Sequence, residues 1–275
     1  MTLPTQAPLA ALWPGMRLLD LFCGAGGAAM GYHQAGFDDI TGVDIKSQPR
    51  YPFRFIQGDA LEYLADHGHE YDAIHASPPC QGYSVMNNLP WLKGRDYPLL
   101  ILPCIEMLEG LGKPYVLENV MGARHGAKGL AKRGLEAHGL KAGWLCGAMF
   151  GLPFYRHRLF AANWLWLAPG HLKHVGVIKH GRMLSNNGSR ASAIIYPEGA
   201  PRSRGIHKPG DVESVRAAKA LMVGQNGNGT VGHAKGWHLA AEAMGIDWMK
   251  RAELTQAIPP AYTRFIGEQL LKVRV

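Results

Sequence analysis

Short apolar, β-prone runs recur along the first part of the chain, at Arg17–Phe22, Ile40–Ile45, Phe53–Ile56, Tyr71–Ala76, Tyr115–Val120 and Arg158–Ala162, each closed by turn residues. Runs of this length bounded by turn signals read as buried strands. Helix-compatible stretches lie between several of them. Strand, turn, helix and strand in that order predict βαβ units in a mainly parallel α/β sheet with helices on both faces. In such a sheet ligands bind beyond the carboxyl ends of the strands, so chemistry is to be sought in the loops that follow these runs.

From about Trp164 to Gly236 the pattern decays into Gly, Ser, Asn, Arg and His, with one short helix expected around Val212–Met222. A loop-rich basic stretch of this kind suits a binding appendage better than a catalytic core. Regular signals return at Ala240–Met249 and Arg251–Leu254. They end in IPPAYTRFIGEQLL, whose prolines suit the entry to an amphipathic C-terminal helix. The expected organisation is an α/β domain at 1–163, a small basic, loop-rich binding region at 164–236, and a C-terminal segment, 237–275, that returns to the first domain.

Charge sharpens this division. Residues 1–120 carry seven basic and 13 acidic side chains, whereas residues 121–275 carry 22 basic and eight acidic ones, and the whole chain has a formal charge of +8. A basic half is either solubilising or a face for a polyanion. Four widely spaced cysteines, Cys23, Cys80, Cys104 and Cys146, suggest neither a disulfide framework nor a zinc ribbon and fit a reducing cytoplasm. No apolar run approaches a bilayer span and the N-terminal stretch lacks a leader pattern, so a cytoplasmic protein without membrane association is expected. Thirteen histidines include His67/His69 and His171/His174, but no cysteine or carboxylate recurs beside them at metal-ligand spacing. Solvated loop histidines are therefore expected, and no metal.

Two constellations carry chemistry. The segment Leu18–Ala29 runs from an apolar strand through Asp20, Phe22, Gly24, Ala25, Gly26 and Gly27 into a helix. Glycines let the backbone turn sharply and approach a ligand, and the helix N-terminus offers unpaired amide donors. Asp44 and Ile45 close the next strand about 20 residues on, where an acid accepts from ribose hydroxyls in this architecture. Asp59 and Ala60 follow the third strand, where a carboxylate would meet an adenine amino group; each aspartate also suits an ordinary cap or turn. The second constellation, Ala76–Ser84, places Cys80 on a proline-stiffened loop at the same sheet edge. A nucleophilic cysteine acts as its thiolate, so nearby cations or hydrogen-bond donors are expected.

Together, Asp-Leu-Phe-x-Gly-x-Gly-Gly at 20–27, Pro-Pro-Cys-Gln at 78–81 and Glu-Asn-Val at 118–120 resemble the cofactor loop, catalytic loop and acid motif of the cytosine carbon-5 DNA methyltransferases, in that family's order. Arg156-x-Arg158 resembles its paired arginines, and Gln256-Ala257-Ile258-Pro259-Pro260 its closing cofactor-side motif. The chain looks most like the short, phage-type members with a reduced recognition region. Phe154 stands where the family usually has glutamine, and Gln256 where it has asparagine.

The resemblance implies a Rossmann-like S-adenosylmethionine-dependent methyltransferase fold and a restriction–modification setting. It implies S-adenosyl-L-methionine as cofactor, S-adenosyl-L-homocysteine as product, and double-stranded DNA as substrate of a monomeric, nucleoid-associated enzyme in a prokaryotic or phage-infected cell. Cys80 would add to the cytosine ring, Glu118 would bond ring nitrogen 3 and the amino group, Arg158 would hold the carbonyl and Arg156 would support the catalytic loop. Pro79 and Ala257 join the cofactor set with Gln256. Gln81, Ser84, Arg182, Asn186, Arg190, Arg202 and Arg204 are the candidates for DNA contact. An RNA cytosine-5 methyltransferase is the nearest alternative. A dinucleotide-dependent oxidoreductase accounts for Gly24, Gly26 and Asp44 but leaves Pro79-Cys80-Gln81 and Glu118-Asn119-Val120 without a role.

Overall fold

The computed structural model describes residues 15–83, 97–125, 135, 137–152, 156–171 and 237–273. These fall into two compact units. The first takes in the chain to residue 144 together with 159–167 and 257 onward, and the second 145–158 and 168–256.

Seven strands form one sheet: β1 (Arg17–Leu21), β2 (Asp39–Asp44), β3 (Arg54–Gln57), β4 (Ala73–Ala76), β5 (Tyr115–Asn119), β6 (Lys141–Leu145) and β7 (Arg158–Ala162). Their order across the sheet is β3-β2-β1-β4-β5-β7-β6. The first five are mutually parallel, and β7 runs antiparallel to β5 with Glu118 opposite Phe160. An all-parallel dinucleotide-binding sheet has order 3-2-1-4-5-6, so the antiparallel strand between the fifth and sixth positions sets this sheet apart from the oxidoreductase pattern.

Side chains alternate across these strands, and each face has its own helices. Leu19, Leu21, Ile74, Ala76, Tyr115, Leu117, Leu159 and Ala161 join one apolar cluster with helices α2 (Ala60–His67) and α3 (Ile101–Leu111) through Leu64, Ile101, Ile105 and Leu108. On the opposite face, helix α1 (Gly27–Ala35) sets Tyr32 against His75, and the C-terminal helix (Pro260–Leu270) sets Tyr262 against Phe160. α1 and the C-terminal helix approach closely at Gly31, where a Cβ would collide with the Thr263 hydroxyl and the Pro260 carbonyl. Thr263 Oγ1 donates to the Ala28 carbonyl at 2.9 Å, tying the two helices together where they touch.

Strand ends shift by a residue or two from the sequence expectation, and one strand was not foreseen. Lys141–Leu145 lacks the apolar alternation of a half-buried strand, because it lies at the sheet edge and Gly143 leaves room for the Trp166 ring. Trp164 and Trp166 are buried while Leu165 and Leu167 are 73% and 70% exposed. The segment to Leu167 lies in the first unit. Gln269 secures it by accepting from the Leu167 N–H and donating to the Leu167 carbonyl. Where regular signals return, a helix spans Trp237–Met244, and Gly245 ends it in the left-handed conformation, φ 65°. The helix expected at 212–222 lies outside the described residues.

Candidate active site at the carboxyl edge of the sheet

β1 ends in a turn that the backbone itself has to strain to make. Phe22 adopts φ 56°, the one non-glycine residue with positive φ among those described. A left-handed conformation costs a bulky side chain roughly 1–2 kcal/mol, so the surrounding contacts must impose it. Gly24 and Gly26 continue the turn at φ 50° and 86°, and Gly26 caps α1 with no side-chain acceptor on the first-turn amides. Gly26 has no room for a Cβ, since Pro52 and the Tyr51 ring lie against it. Gly27 is pressed against Ile258 and Ala257 in the same way, so the closing motif returns to the start of α1.

Three strand ends present polar groups to this turn. Asp44 holds it directly: one carboxylate oxygen accepts from the Gly24 N–H at 3.0 Å and the other from the Lys46 N–H at 2.9 Å. Both oxygens keep a further lone pair for a ligand hydroxyl. Asp59 caps α2, with Oδ1 accepting from the Leu61 and Glu62 amides, so the cap reading holds and Oδ2 remains outside that cap. Ile45, next to Asp44, is 63% exposed at the sheet's carboxyl edge. An aliphatic face this open beside two carboxylates suits a purine ring. Gln256 is exposed, and Ala60 and Ala257 are buried.

Asp20 behaves differently from the other two acids. It is wholly buried, accepts from the Tyr51 hydroxyl at 3.1 Å through Oδ2, and has no hydrogen-bond partner for Oδ1 among the described residues. Burial pushes its carboxyl up to about 7, with the Asp44 charge adding to the rise. His75 lies opposite it in register on β4 and is pushed down to about 3 by burial, hydrogen-bonded at Nδ1 to Tyr32 and at Nε2 to Ser77.

The two shifts give stability a pH signature. Between about pH 3 and 6.5 the unfolded chain protonates its histidine and the fold does not, so His75 alone makes stability fall as pH drops. Between about pH 4 and 7 the folded Asp20 keeps a proton that the unfolded chain has lost, so Asp20 alone makes stability fall as pH rises. The slopes, each at most about 1.4 kcal/mol per pH unit, oppose one another from about pH 4 to 6.5. We predict that Asp20→Asn gains stability over the native protein from pH 5 to 7.5 in urea titrations; an unchanged difference would place the Asp20 carboxyl in the ordinary range.

β4 leads into the cysteine loop, which is anchored on every side. The Ser77 N–H donates to the Leu21 carbonyl, and Ser77 Oγ meets His75. Asn119 Nδ2 donates to the Pro78 carbonyl at 2.9 Å, while its Oδ1 accepts from the Val120 N–H. After Pro79 and Cys80, the Tyr83 N–H returns to the Cys80 carbonyl, and the Tyr83 hydroxyl accepts from the Ile101 N–H at the head of α3. Cys80 is the one cysteine not buried. Burial pushes the thiols of Cys23, Cys104 and Cys146 up, Cys104 to about 12. Glu118, next to Asn119 at the end of β5, is 6% exposed. We expect Asn119→Ala to lower kcat roughly 5- to 100-fold, because it leaves the Pro78 carbonyl without its donor. Steady-state kinetics at saturating cofactor checks this, and an unchanged kcat would remove Asn119 from the account.

In the second unit Arg156 is fully buried and donates to the Thr255 carbonyl at 2.9 Å, and Arg158 donates to the His157 carbonyl. Gln81 is exposed beside Cys80. Ser84, Phe154, Arg182, Asn186, Arg190, Arg202 and Arg204 lie outside the described residues. Sequence reading passed over Tyr51, His75 and the bracing role of Asn119. A histidine inside the buried run Ala73–Ala76 was the available signal.

Type II methyltransferase M.AgeI of Thalassovita gelatinovora is 26% identical over 199 residues, covering 63% of this chain and 46% of that protein. Type II methyltransferase M.AquIA of Picosynechococcus sp. is 30% identical over 183 residues, covering 52% of this chain and 70% of that protein. The chain thus spans about half the length of the first relative and more of the second. The crystal structure of S. pombe Dnmt2 methyltransferase shares the fold, with a TM-score of 0.55 over 94% of this chain and 98% of that one at 15% identity. The sequence model of the C-5 cytosine-specific DNA methylases matches residues 16–162, more than half of the chain and every strand described above, and the protein belongs to that family.

Proposed function

We propose that this protein methylates carbon 5 of a cytosine flipped out of double-stranded DNA, as a monomer acting on DNA in the cytoplasm. The observation that carries the proposal is Cys80, the one cysteine not buried, on a loop pinned by Asn119 next to the Glu118 strand end.

The edge of the sheet fits S-adenosyl-L-methionine. Asp44 would take the ribose hydroxyls, Asp59 the adenine amino group, and Ile45 and Phe22 the purine faces, with Gly24, Ala25, Gly26, Gly27, Ala60, Pro79, Gln256 and Ala257 around them. The uncommitted buried oxygen of Asp20 suits the cationic end of that molecule. When bound, the cofactor supplies an electrophilic methyl group.

Carbon 5 of cytosine is too weak a nucleophile unaided. The Cys80 thiolate adds at carbon 6 and pushes the ring's electrons toward carbon 5. Glu118 bonds ring nitrogen 3 and the exocyclic amine, so charge developing there meets a fixed partner in a site with little water. Arg158 holds the base carbonyl and Arg156 steadies the chain behind it. After methylation, loss of the carbon 5 proton expels Cys80. Reaching the base requires flipping it from the stack at a few kcal/mol, recovered through pocket and strand contacts. The basic C-terminal half, with Arg182, Arg190, Arg202 and Arg204, supplies phosphate and base contacts alongside Gln81 and Ser84.

The test is transfer of labelled methyl groups to duplex DNA and to transfer RNA, with the modified positions then sequenced. Label on cytosine carbon 5 in DNA is expected. Efficient labelling of RNA with DNA hardly touched would overturn the choice of substrate.

A further inference from the structure

The second unit gathers three metal-binding side chains that are far apart in sequence. Cys146, His157 and His171 each bring one ligand atom to within 4.8 Å of the other two. Cys146 directly follows β6 and opens a turn of 3-10 helix at Gly147–Phe150, its carbonyl accepting from the Met149 N–H. His157 stands between Arg156 and Arg158, and its ring lies 5.7 Å from that of His171, tilted by 52°. Cys146 is buried and neither histidine is, so the thiol forms the floor of a site open to solvent on the imidazole side.

We propose that Cys146, His157 and His171 bind a zinc ion. One thiolate and two imidazoles are a set that zinc takes readily, and the missing fourth position is filled by water when a chain provides three ligands. Tetrahedral zinc with bonds of about 2.0–2.3 Å holds its ligand atoms roughly 3.3–3.8 Å apart, so with all three atoms within 4.8 Å of one another the widest pair has to close by at most about 1.5 Å. Side-chain rotation of the two histidines, neither of them buried, supplies that movement. On binding, the Cys146 thiol gives its proton to solvent as the zinc–sulfur bond forms, and no electron is transferred. The ion sits in place of a covalent staple. It joins the chain after β6 to the residue between the paired arginines and to the chain beyond Leu167, fixing His157 and so the spacing of Arg156 and Arg158. Nothing in this requires the methyl-transfer reading: the site stands on its three ligands, and zinc content is measured without activity.

The full-length protein, produced in zinc-supplemented medium and passed over a chelating resin, is expected to keep about one zinc per chain. Titration of the metal-free protein with cobalt(II) should give thiolate-to-cobalt absorption in the near ultraviolet, lost in Cys146→Ser and weakened in His171→Asn. The His171 variant changes a surface side chain and serves should the Cys146 variant fail to fold. A chelator should lower the Tm of the native protein and leave that of His171→Asn nearly unmoved. Native protein without stoichiometric zinc or the cobalt band overturns the proposal, as does a band that persists in Cys146→Ser, since that would assign the thiolate to Cys80 or another cysteine. Zinc retained by a protein inactive on DNA would sink the methyl-transfer reading alone.

Discussion

Cys80→Ser is expected to reduce methyl transfer by at least about 10³-fold while leaving cofactor affinity within a few-fold of native. A serine alcohol holds its proton far more tightly than a thiol and is a much poorer nucleophile at neutral pH, so addition to the ring becomes the failing step. The substitution keeps the anchors of the loop, because Ser77, Pro78 and Tyr83 are held by backbone groups and by Asn119 and His75. Single-turnover assays with labelled cofactor read the first quantity and calorimetry the second. Substantial turnover by Cys80→Ser would mean that the ring is activated some other way.

The largest structural effect is expected from Gly31→Val. Its side chain would occupy space already taken by the Pro260 carbonyl and the Thr263 hydroxyl, and the Arg264 amide lies only 2.8 Å from the Cβ position. Two of these three are backbone groups, which cannot rotate away as a flexible side chain would. Overpacking of this kind costs about 3 kcal/mol or more, corresponding to a Tm lower by roughly 6–12 °C in a domain of this size. The loss should extend to function, because the C-terminal helix carries Ala257 and Ile258 to Gly27 at the cofactor turn. Thermal melts and cofactor titration of the same variant test both parts. A Tm within 2 °C of native would show that the helices separate at little cost.

How far the sequence could be read depends on which residues the fold buries together. Strands β1, β2, β4, β5 and β7 were visible because central strands, covered by helices on both faces, need apolar side chains at nearly every position. The site motifs were visible for a related reason. Turns at strand ends demand glycine and proline, and aspartates placed among them stand out. β6 was missed because an edge strand packed beneath a tryptophan needs no alternation. Trp164 and Trp166, two buried indoles separated by an exposed leucine, look in the sequence like the beginning of an irregular stretch. Tyr51 was passed over although it donates to Asp20 and lines Gly26 and Gly42, since a lone aromatic residue in a loop carries no pattern. Cys146, His157 and His171 have no motif spacing at all; the chain leaving β6, the chain entering β7 and the chain beyond Leu167 bring them together only in the fold.

The central claim is covalent attack by Cys80 on cytosine in DNA. It is tested most directly with duplex DNA whose target cytosines carry fluorine at carbon 5, where the final proton cannot be removed and Cys80 cannot leave. With S-adenosyl-L-methionine present, the native protein is expected to form a one-to-one complex with this DNA that survives denaturant, and peptide mass spectrometry is expected to place the bond on Cys80. No denaturant-resistant complex, or a bond mapped to any other residue, would contradict the account.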